Sequence, residues 1–249
     1  MSPAFEPQSY TAGAAMRRKE VDLRLVPAGF IMLISVGAML LVLPWAQRPG
    51  QMVGFIDALF LSTSAACVTG LTTVNVAETF NGFGQAVLLG LIQLGGLGIL
   101  TAGLLLVLLS GNRLSLADEQ TISATMGRLQ KARPIDVFIY GGVFVVLLEL
   151  AGAVALFAIM TRERPDADIV QTLWEAVFHS VSAFCNAGIS IYPDNLTLWR
   201  SSVPVLAVIS LLVIAGGIGL MTLINLRYYY FWRRDRRRRG QLVFQTRIS

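Results

Sequence analysis

One motif occurs twice in the sequence, first as Asp57-Ala-Leu-Phe-Leu-Ser-Thr-Ser-Ala-Ala-Cys67-Val-Thr-Gly70-Leu71 and again as Glu175-Ala-Val-Phe-His-Ser-Val-Ser-Ala-Phe-Cys185-Asn-Ala-Gly188-Ile189. The two copies lie 118 residues apart and align without a gap. The leading acid, two serines, the cysteine and the glycine coincide in both copies. Shared hydrophobicity alone does not match polar and small positions in this way, so the pair predicts an internal duplication.

A second pair of matching stretches follows the first. Gly95-Gly-Leu-Gly-Ile-Leu-Thr101 recurs as Gly216-Gly-Ile-Gly-Leu-Met-Thr222, at an offset of 121 residues. The larger offset indicates a three-residue insertion between the two blocks of the second copy. Each half of the chain therefore contains the same blocks in the same order.

The regions around these blocks are strongly apolar. Hydrophobic residues make up 55% of the 249 residues and charged residues only 14%, whereas soluble domains carry about 25% charged residues. A helix needs about 20 apolar residues to cross a bilayer core. Four stretches meet that length and predict four transmembrane helices: residues 25–45, 86–109, 137–160 and 203–226. Continuous apolar runs favour helices over barrel strands, which alternate.

The basic residues predict the orientation of these helices. Sixteen of the 20 Lys and Arg residues lie in the N-terminal tail, the loop after the second predicted span and the C-terminal tail. Cytoplasmic loops carry the excess of Lys and Arg, so both termini are expected in the cytoplasm. The aromatic residues 228–232 beside the last basic run are typical of a membrane edge, and we do not expect nucleic-acid binding.

The segments before Gly70 and Gly188 are too short and too polar to cross the membrane. Residues 55–66 and 173–184 fit re-entrant helices, each followed by a short glycine-containing loop. Such a helix points the negative end of its dipole at the loop, and the loop's carbonyls need an aqueous lining. These are the parts of a cation filter. The alternative interpretation is a glycine turn after an interfacial helix.

The two glycine-rich patches, residues 95–98 and 216–219, allow two interpretations. Small residues let membrane helices approach each other closely, which is the simpler structural interpretation. The functional alternative is a gate formed by bendable helix below the loops. Neither patch has the strand–turn–helix context of a nucleotide-binding motif.

The sequence resembles the Trk/Ktr/HKT family of potassium and sodium uptake proteins. The resemblance rests on residues 64–71, on Gln93-Leu-Gly-Gly-Leu-Gly-Ile-Leu-Thr101 and on residues 178–190. It implies a potassium-channel-like pore in which each repeat contributes one filter strand, with potassium passing along backbone carbonyls. The implied filter residues are Cys67, Val68, Thr69, Gly70, Cys185, Asn186, Ala187 and Gly188. In this family a serine in place of the first repeat's glycine accompanies sodium preference, so Gly70 favours potassium.

The family arranges four repeats in one chain around one pore, whereas this sequence contains two. Two loops alone cannot close a ring of carbonyls. We therefore expect either one half of a longer product, completed by a second half-chain, or a homodimer, since cyclic dimers are the commonest assemblies. The resemblance also implies a peripheral cytoplasmic nucleotide-binding regulatory subunit, for which the loop 110–134 is a docking surface.

Four isolated ionisable residues have local interpretations. Glu149 lies in the middle of the third span, where it either attracts cations near the pore or is protonated and hydrogen-bonded. His179 is expected to be structural rather than a ligand. Asp57 and Glu175 are interpreted as helix-start residues, because acids stabilise helix N-termini. With no nucleophile–base pair, metal cluster or phosphate loop, no enzyme activity and no cofactor are expected.

These interpretations together predict an all-α integral protein of the cell membrane with two tandem helix–pore-loop–helix repeats. Its predicted parts are a cytoplasmic tail (residues 1–24), the first repeat (25–110), a cytoplasmic linker (111–134), the second repeat (135–230) and a basic cytoplasmic tail (231–249). The expected function is potassium uptake across the lipid bilayer. The alternatives are a half-protein that inserts without conducting, a sodium-permeable transporter and a secondary transporter with broken helices.

Overall fold

A computed structural model describes residues 25–109 and 134–218 of the chain, and their regular structure is helical. We label the helices α1 (Leu25–Val42), α2 (Phe55–Ala66), α3 (Val76–Thr79), α4 (Gly82–Leu109), α5 (Pro134–Glu163), α6 (Ile169–Phe184) and α7 (Val203–Ile218). Short 3-10 helices lie at Pro44–Ala46 and Asn195–Trp199. The predicted all-helical class is thereby confirmed. Both predicted tails, most of the linker and the end of the fourth predicted span lie outside the described residues.

The helices α4 and α6 begin earlier than their hydropathy predicts, because polar caps extend them. The Asn81 side chain accepts hydrogen bonds from the amides of Phe83 and Gly84 at 2.9 and 3.2 Å, so α4 begins at Gly82. Asp168 caps α6, which therefore begins at Ile169 rather than residue 173. Capping side chains satisfy amides that no helical carbonyl can reach. The start of α2 agrees with the prediction.

The prediction that Glu175 starts a half-helix is wrong. The early start of α6 places Glu175 beyond the first turn of the helix. That first turn contains no acidic residue. Its side chain is buried and paired with Arg164. Asp57, by contrast, does lie in the first turn of α2, as predicted.

One helical stretch among the described residues, Gly141–Glu163, is long and apolar enough by length and composition to cross a membrane. Four shorter apolar helices accompany it: Pro27–Val42, Phe55–Ala66, Gly82–Leu97 and Val203–Ile218. Of these four, Phe55–Ala66 is the first predicted re-entrant helix, and the other three lie within or overlap predicted spans.

The helices pack as two similar units. In the first unit α2 contacts α1 and α4, and in the second unit α6 contacts α5 and α7. One apolar core contains Leu41 and Leu61 of the first unit and extends to Phe178 of α6; we call it the first core. The second core contains Leu156 and Val205 of the second unit. Each short helix is thus enclosed by the two longer helices of its own unit.

The same polar contact joins the short helix of each unit to the long helix that precedes it. Ser62 of α2 donates a hydrogen bond to the Ile34 carbonyl of α1 at 2.8 Å, and Ser180 of α6 donates to the Glu149 carbonyl of α5 at 2.6 Å. A glycine makes room for each serine: a Cβ on Gly37 or Gly152 would collide with its hydroxyl. The duplicated sequence therefore builds duplicated packing.

Hydrogen bonds between side chains also join the two units. Trp174 of α6 donates to Gln85 of α4 at 2.8 Å. Two turns further along α4, Gln93 donates a hydrogen bond to Glu149 of α5 at 3.1 Å. The α4 helix therefore forms the main polar contact surface between the units.

Candidate functional site

The short helices α2 and α6 end in the same hydrogen-bonded cap. The amides of Val68 and Thr69 donate to Ala65 and Ser64 at 3.3 and 2.9 Å. At the equivalent positions, the amides of Asn186 and Ala187 donate to Ala183 and Ser182 at 3.0 and 2.8 Å. This pair of bonds is a Schellman motif, which ends a helix by turning one residue into the left-handed region.

Left-handed residues recur at matching positions after each helix. Val68 and Gly70 have φ angles of 57° and 78°, and Asn186 and Gly188 have φ angles of 59° and 67°. We call residues 67–70 the first loop segment and residues 185–188 the second loop segment. Glycine adopts positive φ without strain, but a β-branched residue such as Val68 does not. The Val68 side chain packs against the first core, and strained backbone of this kind persists where the surrounding structure holds it.

The structure brings the two loop segments into contact. A Cβ built on Gly70 would lie 2.6 Å from the Ala187 carbonyl oxygen, and one built on Gly188 would lie 3.8 Å from the Gly70 Cα. Ala187 is buried, while Cys67, Thr69 and Gly188 are exposed. The predicted site residues of the two copies thus lie side by side, and one side of the contact between the two backbones is exposed.

Polar side chains of the short helices hold the loop segments. In the first unit the Thr69 hydroxyl donates to the Ser64 hydroxyl at 3.0 Å. In the second unit the equivalent Ser182 donates to the Ile189 carbonyl at 2.6 Å. The serines shared by the two sequence motifs therefore act as supports for the backbone.

The glycine-rich patches provide close helix packing, as the simpler interpretation predicts. A Cβ on Gly95 would overlap the Ala66 carbonyl at the end of α2, and a Cβ on Gly216 would overlap the Phe184 carbonyl at the end of α6. The second long helix of each unit, α4 or α7, thus passes directly against the end of the short helix. The alternative that these patches act as gates stays a prediction.

Glu149 lies behind the second loop segment and is buried. It accepts the hydrogen bond from Gln93, and its other oxygen lies 3.8 Å from the Cys185 sulfur. The Gln93 side-chain oxygen is buried and has no hydrogen-bond partner among the described residues. Glu149 therefore has the inward orientation and the partner that the sequence predicts for an intramembrane acid.

Sequence reasoning missed a polar cluster beside the second loop segment. Its residues are Arg164, Gln171, Glu175, Ser190 and Tyr192, together with the predicted structural histidine His179. Burial, and the hydrogen bond to Glu175, raise the pKa of the Tyr192 hydroxyl, so the phenol keeps the proton that it donates. One available signal was the difference between the copies, since leucine occupies the position of His179 in the first.

Metal binding by side chains has no support in the part of the chain that the structure describes. No group of three or more His, Cys, Asp or Glu residues there could hold a metal ion. Oxygen ligands for a cation at the loop segments would come from backbone carbonyls and from the Thr69 hydroxyl.

Comparisons with known proteins identify the family. The family model for TrkH, described as cation transport protein, matches residues 13–247. The chain is 36% identical over 215 residues to the potassium/sodium uptake protein NtpJ of Enterococcus hirae, covering 86% of this chain and 47% of that protein. It is 35% identical over 202 residues to the Ktr system potassium uptake protein B of Bacillus subtilis, covering 81% of this chain and 44% of the relative.

A third relative is the Ktr system potassium uptake protein B of Vibrio alginolyticus, 29% identical over 236 residues, with 95% of this chain and 50% of the relative covered. The chain therefore spans about half the length of the curated relatives that it matches. The predicted Trk/Ktr/HKT resemblance is confirmed: the chain belongs to the TrkH family of cation transport proteins.

Proposed function

We propose that this chain is a pore-forming subunit for potassium uptake across the cell membrane. In this proposal the two loop segments are filter strands, and their backbone carbonyls replace the hydration shell of the ion. The relatives are named as potassium or potassium/sodium uptake proteins, and none of the three is named as an enzyme. The filter residues are Cys67, Val68, Thr69, Gly70, Cys185, Asn186, Ala187 and Gly188.

The paired geometry of the loop segments is the observation that carries this proposal. Each segment follows the C-terminal end of a short helix, where the helix dipole is negative and favours a cation. Each has positive φ at its second and fourth residues. The two segments touch, with Gly70 against Ala187 and Gly188. A glycine turn after an interfacial helix does not require two such turns to meet.

The proposed arrangement in the membrane follows the predicted one. Helices α1, α4, α5 and α7 cross the bilayer, α2 and α6 are re-entrant, and both termini are cytoplasmic. The two helix–pore-loop–helix repeats then occupy residues 25–110 and 135–230. Both repeats run in the same direction through the membrane, which disfavours a secondary transporter built from inverted repeats.

Two strands leave the proposed carbonyl ring open, so further strands must complete it. A second copy of this chain, related by a two-fold axis, would supply them. A chain carrying two further repeats would do so equally well. On the cytoplasmic side, a peripheral nucleotide-binding subunit is the proposed regulatory partner, with the linker 111–134 as its contact.

Rubidium uptake into liposomes tests the proposal. Uptake is measured with the purified chain alone and with the chain co-reconstituted with one that carries two further repeats. We expect uptake in at least one preparation, and we expect Gly188→Asp to abolish it without preventing membrane insertion, because the new carboxylate would lie beside Gly70 at the contact between the loop segments and bind the ion or block its path. Unchanged uptake by the inserted Gly188→Asp protein would contradict the filter assignment.

A sodium-permeable transporter is the second candidate, favoured by the name of the Enterococcus hirae relative. Competition separates the two candidates. Excess sodium should leave rubidium uptake nearly unchanged if the filter prefers potassium. Competition by sodium equal to that by potassium would support the second candidate.

A further inference from the structure

A buried carboxylate in the second unit binds groups from three different segments. Glu175 of α6 accepts a hydrogen bond from the Tyr192 hydroxyl at 2.7 Å and from Gln171 at 2.9 Å. Arg164, between α5 and α6, pairs with the same oxygen as Tyr192 at 3.3 Å. Glu175 is 4% exposed. Hydrogen bonds to charged groups are stronger than those between neutral groups. A buried carboxylate with this many donors therefore holds the segments that bind it firmly in place.

A second set of contacts connects the same helix to Ser190. The His179 Nδ1 lies 2.7 Å from the Glu175 backbone carbonyl, and its Nε2 lies 2.9 Å from the Ser190 hydroxyl oxygen. A carbonyl can only accept, so the Nδ1 carries the proton. The Nε2 of the neutral ring then accepts from Ser190. The Ser190 oxygen in turn accepts a hydrogen bond from the Tyr192 backbone amide at 3.1 Å.

These hydrogen bonds form a closed ring that begins and ends at Glu175. Its members are the Glu175 carbonyl, His179, Ser190, the Tyr192 backbone and hydroxyl, and the Glu175 carboxylate. The ring of His179 also stacks on that of Tyr192, with centroids 4.6 Å apart and planes 16° apart. Connected hydrogen bonds in a buried setting strengthen one another. Ser190 and Tyr192 follow directly after the second loop segment.

The first unit lacks this ring. At the positions equivalent to His179 and Tyr192 it has Leu61 and Val74, both apolar. Leu61 is fully buried in the first core. Both loop segments are supported by apolar packing and by a serine of the short helix, but among the described residues a closed hydrogen-bonded ring lies beside the second alone, although the two backbones have matching turns.

We propose that the ring formed by Glu175, His179, Ser190 and Tyr192 fixes the backbone from Gly188 to Tyr192 against α6, and that the resulting rigidity of the second loop segment adds to the discrimination between potassium and sodium that Gly70 favours in the first. The second part of the proposal rests on the proposed function. The four residues are positioning residues: they hold the backbone whose carbonyls face the ion. A rigid strand keeps its carbonyl spacing when a smaller ion enters, and a loose strand adapts to it.

Hydrogen exchange of the chain in lipid nanodiscs tests the first part. Tyr192→Phe removes one hydroxyl and keeps the stacked ring. We expect the amides of residues 189–192 to exchange on the order of ten-fold faster in this variant, because a hydrogen bond to a buried carboxylate is lost. Exchange in these amides within about two-fold of the original chain would overturn the proposal.

The first unit offers a matched control. Asp57→Asn removes a carboxylate at the position equivalent to Glu175, but Asp57 lies in the first turn of α2, outside any such ring. Its exchange at residues 189–192 should equal that of the original chain. The double variant Glu175→Ala with Tyr192→Phe should exchange no faster than the faster of the two single variants, because both remove the contact between the Tyr192 hydroxyl and the Glu175 carboxylate. Additive effects would overturn the ring as one unit.

Uptake tests the second part in the preparation that conducts. The ratio of rubidium to sodium uptake should fall by about five-fold or more in Tyr192→Phe and stay unchanged in Asp57→Asn. A role in folding alone lowers uptake of both ions in proportion, so an unchanged ratio in Tyr192→Phe would overturn the second part. Absence of uptake by the original chain in every preparation contradicts the proposed function, while the exchange experiment still decides whether the ring fixes the backbone.

Discussion

Gly70 and Gly188 occupy matching sequence positions but have different surroundings. Both have positive φ, which costs a residue with a Cβ roughly 1–2 kcal/mol. Only Gly70 faces a close neighbour, because a Cβ there would lie 2.6 Å from the Ala187 oxygen. At Gly188 the nearest atom would be 3.8 Å away, an ordinary contact. The contact between the loop segments therefore depends more on Gly70.

The two glycines should respond differently to the same substitution. We expect Gly70→Ala to separate the loop segments and abolish rubidium uptake. Gly188→Ala should lower the free energy of unfolding by only about 1–2 kcal/mol and leave measurable uptake. Thermal unfolding and uptake of both variants in liposomes provide the test. Equal loss in both variants would contradict the asymmetry of their contacts.

The glycines of the loop segments could be predicted from the sequence, but their left-handed neighbours could not. The duplication identifies Gly70 and Gly188, and glycine at a repeated loop position indicates a backbone angle that residues with a Cβ avoid. Val68 and Asn186 also have positive φ, and nothing in their residue types requires it. Their conformation comes from the helix cap and from tertiary packing, which outweigh the local preference. The expectation that Glu175 starts a helix failed for a related reason, because the Asp168 cap begins α6 before the residues that hydropathy marks.

At the level of the helices, the backbone of α4 passes directly against the end of α2. The Gly95 position has no room for a Cβ, because the Ala66 backbone fills that space. Gly90, in the same helix, has nothing within 4 Å of its Cβ position. These two glycines therefore separate the packing role of glycine from its low helix propensity.

We expect Gly95→Ala to destabilise the protein and Gly90→Ala to be neutral or slightly stabilising. The Gly95 variant must push α4 away from α2, and this shifts the first loop segment. The Gly90 variant gains helix propensity of about 1 kcal/mol, with no collision. Thermal unfolding in nanodiscs measures both. A Gly95 variant as stable as the Gly90 variant would show that the helices can separate freely.

Hydropathy predicted the presence of the helices well and their first turns poorly. The start and end of α2 and the end of α6 agree with the prediction. The starts of α4 and α6 do not, because Asn81 and Asp168 add a capped polar turn to an apolar run. A hydropathy window averages over such turns, whereas capping acts at one residue. The boundaries therefore depend on side-chain hydrogen bonds that the window does not see.

For the whole molecule, the two units are joined by an apolar core that includes Phe178 and Ile189 of the second unit, and by a small number of polar contacts. Gln93 and Glu149 form one of them, in the interior and beside Cys185. The sequence predicts an inward acid at residue 149, but its partner could not be predicted. That partner lies 56 residues away, in the other unit. Internal repetition defines each unit separately and says little about how they join.

Substitutions at Glu149 separate the two interpretations of this acid. In Glu149→Leu the Gln93 amide loses its acceptor while its oxygen is already unpartnered among the described residues, so we expect a loss of about 1–3 kcal/mol in the free energy of unfolding. Glu149→Gln keeps an acceptor for Gln93 and can donate to its oxygen. If Glu149 acts through hydrogen bonds, this variant should keep both stability and rubidium uptake. Loss of uptake at unchanged stability would instead show that the carboxylate attracts cations by its charge.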